Sequence, residues 1–397
     1  MTTTTSPLEQ AKQLQKEIVD LRRHLHSHPE LSFHEHETAK LAGEKLSALG
    51  FQVKRDVGKT GLFADMGKGT KIAIRADMDG LPIDETNPTA YKSKNPGVMH
   101  ACGHDAHVSC ALAAAKILSG SASELKGSIR MLMQPAEEFG DDEGKSGACR
   151  MIEDGVLEGV SAVIGLHMDA NIPAGQVGIM PGPVMAAADS FTIEIIGKGG
   201  HGAYPETTID AVVVGSQVVQ AIQQIVSRRI SALEPAIVTI GSFHSDSKRG
   251  NIISEKVTLE GTFRTFNRDV RKKVMEEIDR ACSVARALGG DYRIHYDLGY
   301  PTTINEPGVT AIMHQVACEL IGEKNVLNVP KKTWSEDFSM FAEIVPGAFM
   351  FLGGEVAGDR RSHHSPTFDL DESGLYIGSA ILAETARRLI PYMETRK

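Results

Sequence analysis

Four short, nearly continuous apolar runs restrict the fold of this chain more than any other feature. They alternate with segments of helical periodicity, and they lie at TKIAIRA (70–76), GSIRMLMQ (127–134), SAVIGL (161–166) and GAFMFLG (347–353). Strands that lack an alternating polar face are typical of sheets covered by helices. The sequence therefore predicts an α/β domain whose mixed sheet is covered by helices, including one at 108–120 and a first helix from about Pro7 to His26.

The middle of the chain follows a different pattern. Strands are predicted at 190–197, 236–244, 256–265 and 291–298, and amphipathic helices at 209–227 and 268–288. This β-α-β-β-α-β order is the split βαβ pattern of ferredoxin-like α+β domains. We therefore predict a smaller domain at residues 186–298, inserted into a larger one that is formed by residues 1–185 and 299–397.

Composition excludes several classes of partner. The 397 residues carry a formal net charge of −9 and no dense basic patch, which argues against nucleic acid or an anionic membrane. No apolar run is long enough to span a bilayer, and the first residues do not resemble a secretory signal, so a cytoplasmic location is expected. Five widely spaced cysteines do not suggest a disulfide framework in such a compartment.

Side chains that bind metals follow the predicted strands. Ligands of open α/β sheets bind beyond the carboxyl ends of the strands, where such residues would meet. The pairs are Asp77 and Asp79, Glu137 and Glu138, His167 and Asp169, and His363 and His364. Of the two adjacent glutamates, one could bind a cation while the other acts as a general base, although neighbouring glutamates are more often a solvated helix face.

Cys102 has three possible roles. It lies two residues before His104 in HACGHDAH, so a turn could direct both side chains at one ion such as zinc. It could instead be a nucleophile whose pKa is lowered by His104 and a helix N-terminus, or a buried structural thiol. The nearby carboxylates favour a metal, since a cysteine amidase has no use for them.

In the predicted insertion, His201 lies between glycines in GKGGHGAYPE, so a ligand could approach both its backbone and its imidazole. The alternative is a hairpin-like turn with an incidental histidine.

Seven motifs together resemble the aminoacylase/carboxypeptidase superfamily of metal-dependent amidohydrolases. They are RRHLHSHPELSFHE, RADMDGLPIDE, MHACGHDAH, QPAEE, GLHMD, GKGGHGAYPE and HHSPTFDLDE, and they span nearly the whole chain. The branch with the greatest resemblance contains hippurate hydrolases, N-acetyl amino acid deacetylases, aminobenzoyl-glutamate hydrolases and plant auxin-conjugate hydrolases.

The resemblance implies one or two divalent ions, of zinc, manganese, cobalt or nickel. The implied metal ligands are Cys102, His104, Glu138, His167 and His364, the last chosen over His363 because His364-Ser365-Pro366 fits the His-x-Pro pattern of the family. The chain departs from the wider superfamily where Asp77-Met78-Asp79 replaces a His-x-Asp pair, which leaves the number of ions and the role of Asp77 open. Asp79 is expected to orient a ligand from outside the metal shell.

The resemblance also implies the reaction. Glu137 would be the general base, His201 would polarise the scissile carbonyl in the other subunit of a homodimer, and Asn251 and Arg264 would bind the substrate carboxylate. The expected activity is hydrolysis of N-acyl amino acids, with a metallo-carboxypeptidase or dipeptidase as the alternative. A metal-free cysteine amidase that uses Cys102 and a non-catalytic metal-binding protein are alternatives of other classes.

Overall fold

The computed structural model describes residues 6–359 and 361–396. Its helices are α1 (Pro7–His26), α2 (His36–Ala48), α3 (His104–Gly120), α4 (Gly147–Glu153), α5 (Ala211–Gln224), α6 (Arg268–Cys282), α7 (Val284–Ala287), α8 (Pro307–Ile321), α9 (Phe338–Ala342) and α10 (Leu375–Glu394). Within these residues, no helix is both long and apolar enough to cross a membrane.

The strands are β1 (Gln52–Val57), β2 (Gly61–Gly67), β3 (Lys71–Asp77), β4 (Ser128–Gln134), β5 (Val160–Pro173), β6 (Val177–Gly178), β7 (Gly182–Met185), β8 (Ala187–Ile196), β9 (Gly200–His201), β10 (Ala236–Ser245), β11 (Ile252–Ile253), β12 (Lys256–Thr265), β13 (Asp291–Leu298), β14 (Thr303–Asn305), β15 (Val326–Leu327) and β16 (Gly347–Glu355). The chain divides into two compact units. The first is formed by the described residues within 1–182, 304–330 and 340–397, and the second by residues 183–303 and 331–339.

The first unit contains an eight-stranded mixed sheet in the order β1-β2-β4-β3-β5-β16-β6-β15. Its central strands β4, β3, β5 and β16 run parallel, and β2 pairs antiparallel with β4. Helices α1, α3 and α10 pack on one another and share one hydrophobic core with the sheet. The predicted helix-covered α/β fold is confirmed, and the parallel centre brings the carboxyl ends of four strands to one edge.

The second unit is a four-stranded antiparallel sheet in the order β10-β12-β8-β13. Helices α5 and α6 pack with it around a separate core that includes Phe191, Val218, Phe263 and Ile278. The β-α-β-β-α-β order and this strand arrangement are ferredoxin-like, as predicted.

Several predicted elements differ in extent, and two of the larger differences concern residues of the candidate site. The strand expected at 161–166 continues to Pro173, so His167 and Asp169 lie within β5 and not beyond it. The pairing explains this, because His167 and Asp169 remain in register with Phe351 and Gly353 of β16. The helix expected from residue 108 begins at His104, which makes His104 its first residue.

Candidate metal centre and active site

The turn between Cys102 and His104 depends on the glycine that separates them. Gly103 has a φ of +98°, and a Cβ atom there would come within 3.1 Å of the Met168 side chain. A residue with a side chain would be strained in this conformation and crowded against β5. Gly103 therefore allows the buried Cys102 to precede the helix while His104 occupies its first turn.

His104 is oriented by the segment after β3. Its Nδ1 atom lies 2.9 Å from the carbonyl oxygen of Asp79 and 3.2 Å from Asp79 Oδ1. A carbonyl oxygen only accepts, so Nδ1 carries a hydrogen and Nε2 faces the neighbouring carboxylates. Burial opposes the charged form, but Asp77, Asp79 and Glu138 outweigh it and raise the pKa of His104 to about 10. The surroundings thus favour a positive charge at this ring, whether from a proton or from a metal ion.

His167 approaches Cys102 from β5. Its Nδ1 atom donates to the Met168 carbonyl oxygen at 2.7 Å, which directs Nε2 to within 3.4 Å of the Cys102 sulfur. Burial, followed by the nearby Glu138 and Glu137 carboxylates, raises the pKa of the Cys102 thiol. Without a cation, this sulfur is therefore held as a thiol, which is the weaker nucleophile.

Glu138 and His364 complete the cluster. His364 Nε2 lies 3.2 Å from Glu138 Oε1, and His104 Nε2 lies 3.9 Å from the same oxygen. His363 is differently engaged, because its Nε2 accepts from the backbone N–H of Ala170 at 3.3 Å. Sets of possible ligand atoms within 4.8 Å of one another occur at Cys102, His104 and His167, at Cys102, Glu138 and His364, and at His104, Glu137 and Glu138.

Two atoms of this cluster fit a metal ion directly. His104 Nε2 and Glu138 Oε1 are buried, and neither makes a hydrogen bond within the described residues. Glu138 Oε1 and His364 Nε2 are close but are not aligned as a hydrogen bond. Buried polar atoms are rarely left in this state unless an ion or water binds them. A sulfur, imidazoles and carboxylates also match the donors that zinc and similar divalent ions accept.

Asp77 and His107 support the cluster by hydrogen bonding. The Asp77 oxygens accept from Arg75 and from His107 Nδ1, each at 2.6 Å. His107 Nε2 accepts from the backbone N–H of Met168 at 2.8 Å, so both nitrogens of this ring are occupied. The sequence alone leaves the role of Asp77 open and does not single out His107, although the position of His107 one helical turn after His104 is an available signal.

Glu137 follows a residue of unusual backbone conformation. Ala136, which is buried, has a φ of +47°, and Glu137 Oε2 lies 4.0 Å from His104 Nε2.

The backbone N–H of Glu138 donates to Asp79 Oδ2 at 3.0 Å, and that oxygen also accepts from the Ser32 hydroxyl at 2.6 Å. The structure thus brings together the predicted residues Asp79, Cys102, His104, Glu137, Glu138, His167 and His364.

The second unit contains the other predicted site residues. His201 and Asn251 are exposed neighbours, since the Gly202 N–H donates to the Asn251 carbonyl at 2.8 Å. Arg264 is half-buried on β12, where it donates to the Phe263 carbonyl at 3.0 Å and to the Thr262 hydroxyl. Burial lowers the pKa of its guanidinium.

A parallel-centred α/β sheet with possible metal ligands at one edge is compatible with a metal-dependent hydrolase, and comparison with known proteins identifies the family. The model of peptidase family M20/M25/M40 matches residues 73–388, and the chain belongs to this family. It is 40% identical to an N-acetyl-L-cysteine deacetylase of Bacillus subtilis over 97% of this chain and 91% of the relative. It is 43% identical to an N-acyl-L-amino acid amidohydrolase of Geobacillus stearothermophilus over 74% and 79%.

A solved structure supports the metal requirement. The Bacillus subtilis YXEP protein, described as a dinuclear metal-binding peptidase of the M20 family, superposes with a TM-score of 0.84 and 32% identity. The match covers 96% of this chain and 99% of that protein. The chain is therefore a metal-dependent enzyme of the amidohydrolase and peptidase type.

Proposed function

We propose that this enzyme hydrolyses the amide bond of N-acyl amino acids and releases a carboxylic acid and a free amino acid. The observation that carries the proposal is the cluster at the sheet edge. There His104 Nε2 and Glu138 Oε1 are buried beside Cys102, His167 and His364, and neither atom has a hydrogen-bond partner among the described residues. The deacetylase and amidohydrolase relatives act, by their names, on substrates of this class.

Cys102, His104, Glu138, His167 and His364 are the proposed ligands of one or two divalent ions. Zinc, manganese, cobalt and nickel all suit a mixed set of sulfur, nitrogen and oxygen donors. When bound, such an ion lowers the pKa of water and polarises the amide carbonyl. Asp79 orients His104 through the Nδ1 contact and so fixes which nitrogen faces the ion.

Glu137 is the proposed proton carrier. Its Oε2 atom lies 4.0 Å from His104 Nε2, so the carboxylate is close enough to exchange a proton with a water molecule at the proposed metal site. Glu137 accepts a proton from water as the new C–O bond forms, and it donates that proton to the amide nitrogen as the C–N bond breaks. Without this proton the amine would have to leave as an amide anion, which is a very poor leaving group.

The second unit contributes three residues to the proposed mechanism, His201 as a catalytic residue and Asn251 and Arg264 as substrate-binding residues. The guanidinium of Arg264 suits a substrate carboxylate, because paired charge-assisted hydrogen bonds orient such groups. We propose that the enzyme is a homodimer in which the exposed His201 of one subunit donates to the developing oxyanion in the other. A cytoplasmic location is also proposed, and the five free cysteines suit a reducing compartment.

The test is amino acid release from N-acetyl amino acids, N-benzoyl amino acids and dipeptides. Each reaction is run untreated, with a chelator, and after zinc, manganese, cobalt or nickel is added back. We expect chelation to abolish turnover, metal to restore it, and N-acyl amino acids to have higher kcat/KM than dipeptides. A preference for dipeptides would indicate a dipeptidase. Turnover that survives chelation but is abolished by thiol alkylation would indicate a cysteine amidase.

A further inference from the structure

Besides the proposed ligand His364, two residues other than glycine near the metal cluster have left-handed backbone conformations. Phe33 has a φ of +61° and Ala136 has a φ of +47°. Such conformations are unfavourable for residues with a Cβ atom and persist only where the surrounding structure holds them. They are distant in sequence, so a shared cause must come from the tertiary structure.

One carboxylate oxygen contacts both residues. Glu35 Oε1 accepts from the Phe33 N–H at 3.0 Å and from the Ala136 N–H at 2.7 Å. The other oxygen, Oε2, accepts from the Thr60 hydroxyl at 2.5 Å. Glu35 is fully buried, so these bonds are shielded from competition by water. Phe33, Thr60 and Ala136 are thereby joined through a single side chain.

The second of these contacts lies next to the catalytic groups. Ala136 directly precedes Glu137 and Glu138, and its carbonyl accepts from the Gly147 N–H at 2.8 Å. Gly147 packs so closely that a Cβ atom there would lie 1.7 Å from the Pro135 carbonyl oxygen. The peptide groups on both sides of Ala136 are therefore fixed, the preceding one by Glu35 and the following one by Gly147.

We propose that Glu35 is a positioning residue, which holds Ala136 in its left-handed conformation and thereby directs the Glu137 carboxylate into the active site. The proposal rests on the role proposed above for Glu137. Glu35 acts through hydrogen-bond acceptance, so its charge is not required. Burial, followed by the Asp79 carboxylate, raises the pKa of Glu35 to about 7, and the neutral acid can still accept both N–H groups at Oε1 while its hydroxyl faces Thr60.

The variants Glu35→Gln, Glu35→Asp and Glu35→Ala separate this role from a general effect on folding. Glutamine keeps an acceptor oxygen at the same distance from the backbone as Glu35 Oε1. Aspartate keeps the carboxylate charge but moves the oxygen away from the Ala136 N–H, and alanine removes both the charge and the acceptor. Glu37→Ala is the matched control, because the Glu37 side chain is 77% exposed and its ion-pair partner is Lys40. Metal content and thermal unfolding are measured for every variant.

The first readout does not depend on substrate. Hydrogen exchange of the Ala136 amide, resolved by NMR or by fragmentation mass spectrometry, should be as slow in Glu35→Gln as in the parent. It should be at least about tenfold faster in Glu35→Asp and in Glu35→Ala, because its acceptor is withdrawn. If Glu35→Ala does not fold, the aspartate and glutamine variants still decide the result. An Ala136 amide that is equally protected in Glu35→Asp would overturn the proposal.

The second readout is kcat at saturating metal. We expect losses of about tenfold to a hundredfold in Glu35→Asp and Glu35→Ala, with a smaller change in KM, because a displaced general base affects the chemical step most. Glu35→Gln should stay within a few fold of the parent. Equal losses in the glutamine and alanine variants would show that charge matters and would overturn the positioning role. If the parent hydrolyses none of the substrates, the proposed function fails. The hydrogen exchange of the Ala136 amide still tests whether Glu35 holds that amide.

Discussion

The sulfur of Cys102 lies 3.4 Å from Nε2 of His167, at the point where the start of α3 meets β5. This contact leads to the first prediction, that Cys102→Ser weakens metal binding. Changing a residue that only contacts a metal ligand typically costs about 10–100-fold in affinity, so losing a thiolate ligand should cost at least about tenfold. Titration against a competing chelator measures the change.

The control for this variant is Cys149→Ser. Cys149 lies in α4 and belongs to none of the possible ligand clusters of the described residues, so its replacement should leave metal affinity unchanged. Burial and the nearby glutamates raise the pKa of the Cys102 thiol, so a metal has to displace its proton. Affinity should therefore increase with pH in the parent and do so less steeply in Cys102→Ser. Equal affinities in the parent and Cys102→Ser would exclude the thiolate as a ligand.

The second prediction concerns proton transfer. Glu137→Gln should lower kcat by about 10²–10⁴-fold, because glutamine cannot carry the proton from water to the leaving nitrogen. The bound metal should remain, since the five proposed ligands are intact. Steady-state kinetics and metal analysis of the same preparation test both statements. Nearly full turnover in Glu137→Gln would remove Glu137 from the mechanism.

The strand ends were the informative part of the sequence. Asp77 ends β3, and the Glu137–Glu138 pair follows β4. These buried parallel strands end at one edge, so the proximity of the carboxylates could be predicted without a structure. The extent of β5 could not be predicted in this way. The polar residues after Leu166 suggest that the strand ends there, whereas pairing with β16 keeps His167 and Asp169 in the sheet.

Contacts between distant segments were beyond the reach of the sequence. Glu35 lies in RRHLHSHPELSFHE, one of the motifs that carry the family resemblance, and nothing in its spacing indicates that it bonds to Ala136. His107 and Asp77 similarly pair only after α3 packs on β3. Residue type and strand order therefore predicted which groups reach the site, while the residues that orient them required the tertiary structure.

The third prediction tests the proposed role of His201 across a dimer. His201→Ala and Glu137→Gln should each reduce kcat by about 10²-fold or more, because each removes a group that acts in the transition state. A mixed dimer contains one His201→Ala subunit and one Glu137→Gln subunit. One of its two active sites would combine the intact Glu137 of the first subunit with the intact His201 of the second. Co-expression of the two variants at equal levels should therefore restore about a quarter of the parent activity.

The matched control for this complementation is a mixture of the two separately purified homodimers, assayed before subunits exchange. It should show only the residual activity of the single variants. If the co-expressed protein also shows only this residual activity although size-exclusion chromatography shows a dimer, His201 acts within its own subunit or not at all.

The fourth prediction is a pH dependence of stability. The folded protein raises the pKa of Glu35 from 4.5 to about 7, so between these values the folded state keeps a proton that the unfolded state releases. As pH increases through this range, the free energy of unfolding should therefore fall, and the contribution of Glu35 to this fall is up to about 3 kcal/mol. Glu35→Gln has no such proton, so its unfolding free energy should fall less steeply. Urea unfolding at several pH values, in chelator, measures the difference, and parallel curves would contradict the assignment.

The fifth prediction concerns a buried charge network that anchors the start of α3. Arg22 is fully buried, and its guanidinium lies 2.9 Å from Asp105 and 3.1 Å from each of Asp369 and Glu372. His26 Nδ1 lies 2.8 Å from the same Asp105 oxygen. Asp105 directly follows His104, so the network fixes the helix turn that carries a proposed metal ligand.

Asp105→Ala removes the buried carboxylate that Arg22 Nε and His26 Nδ1 share, while Arg22 keeps Asp369 and Glu372. Removing one partner of a buried ion pair costs up to about 3–5 kcal/mol, so the urea midpoint should fall below that of the parent. Asp20→Ala is the control, because Asp20 pairs with Lys16 at the surface, where the pair contributes at most about 1 kcal/mol. Equal losses in the two variants would mean that the Arg22 network adds no more to stability than an exposed pair.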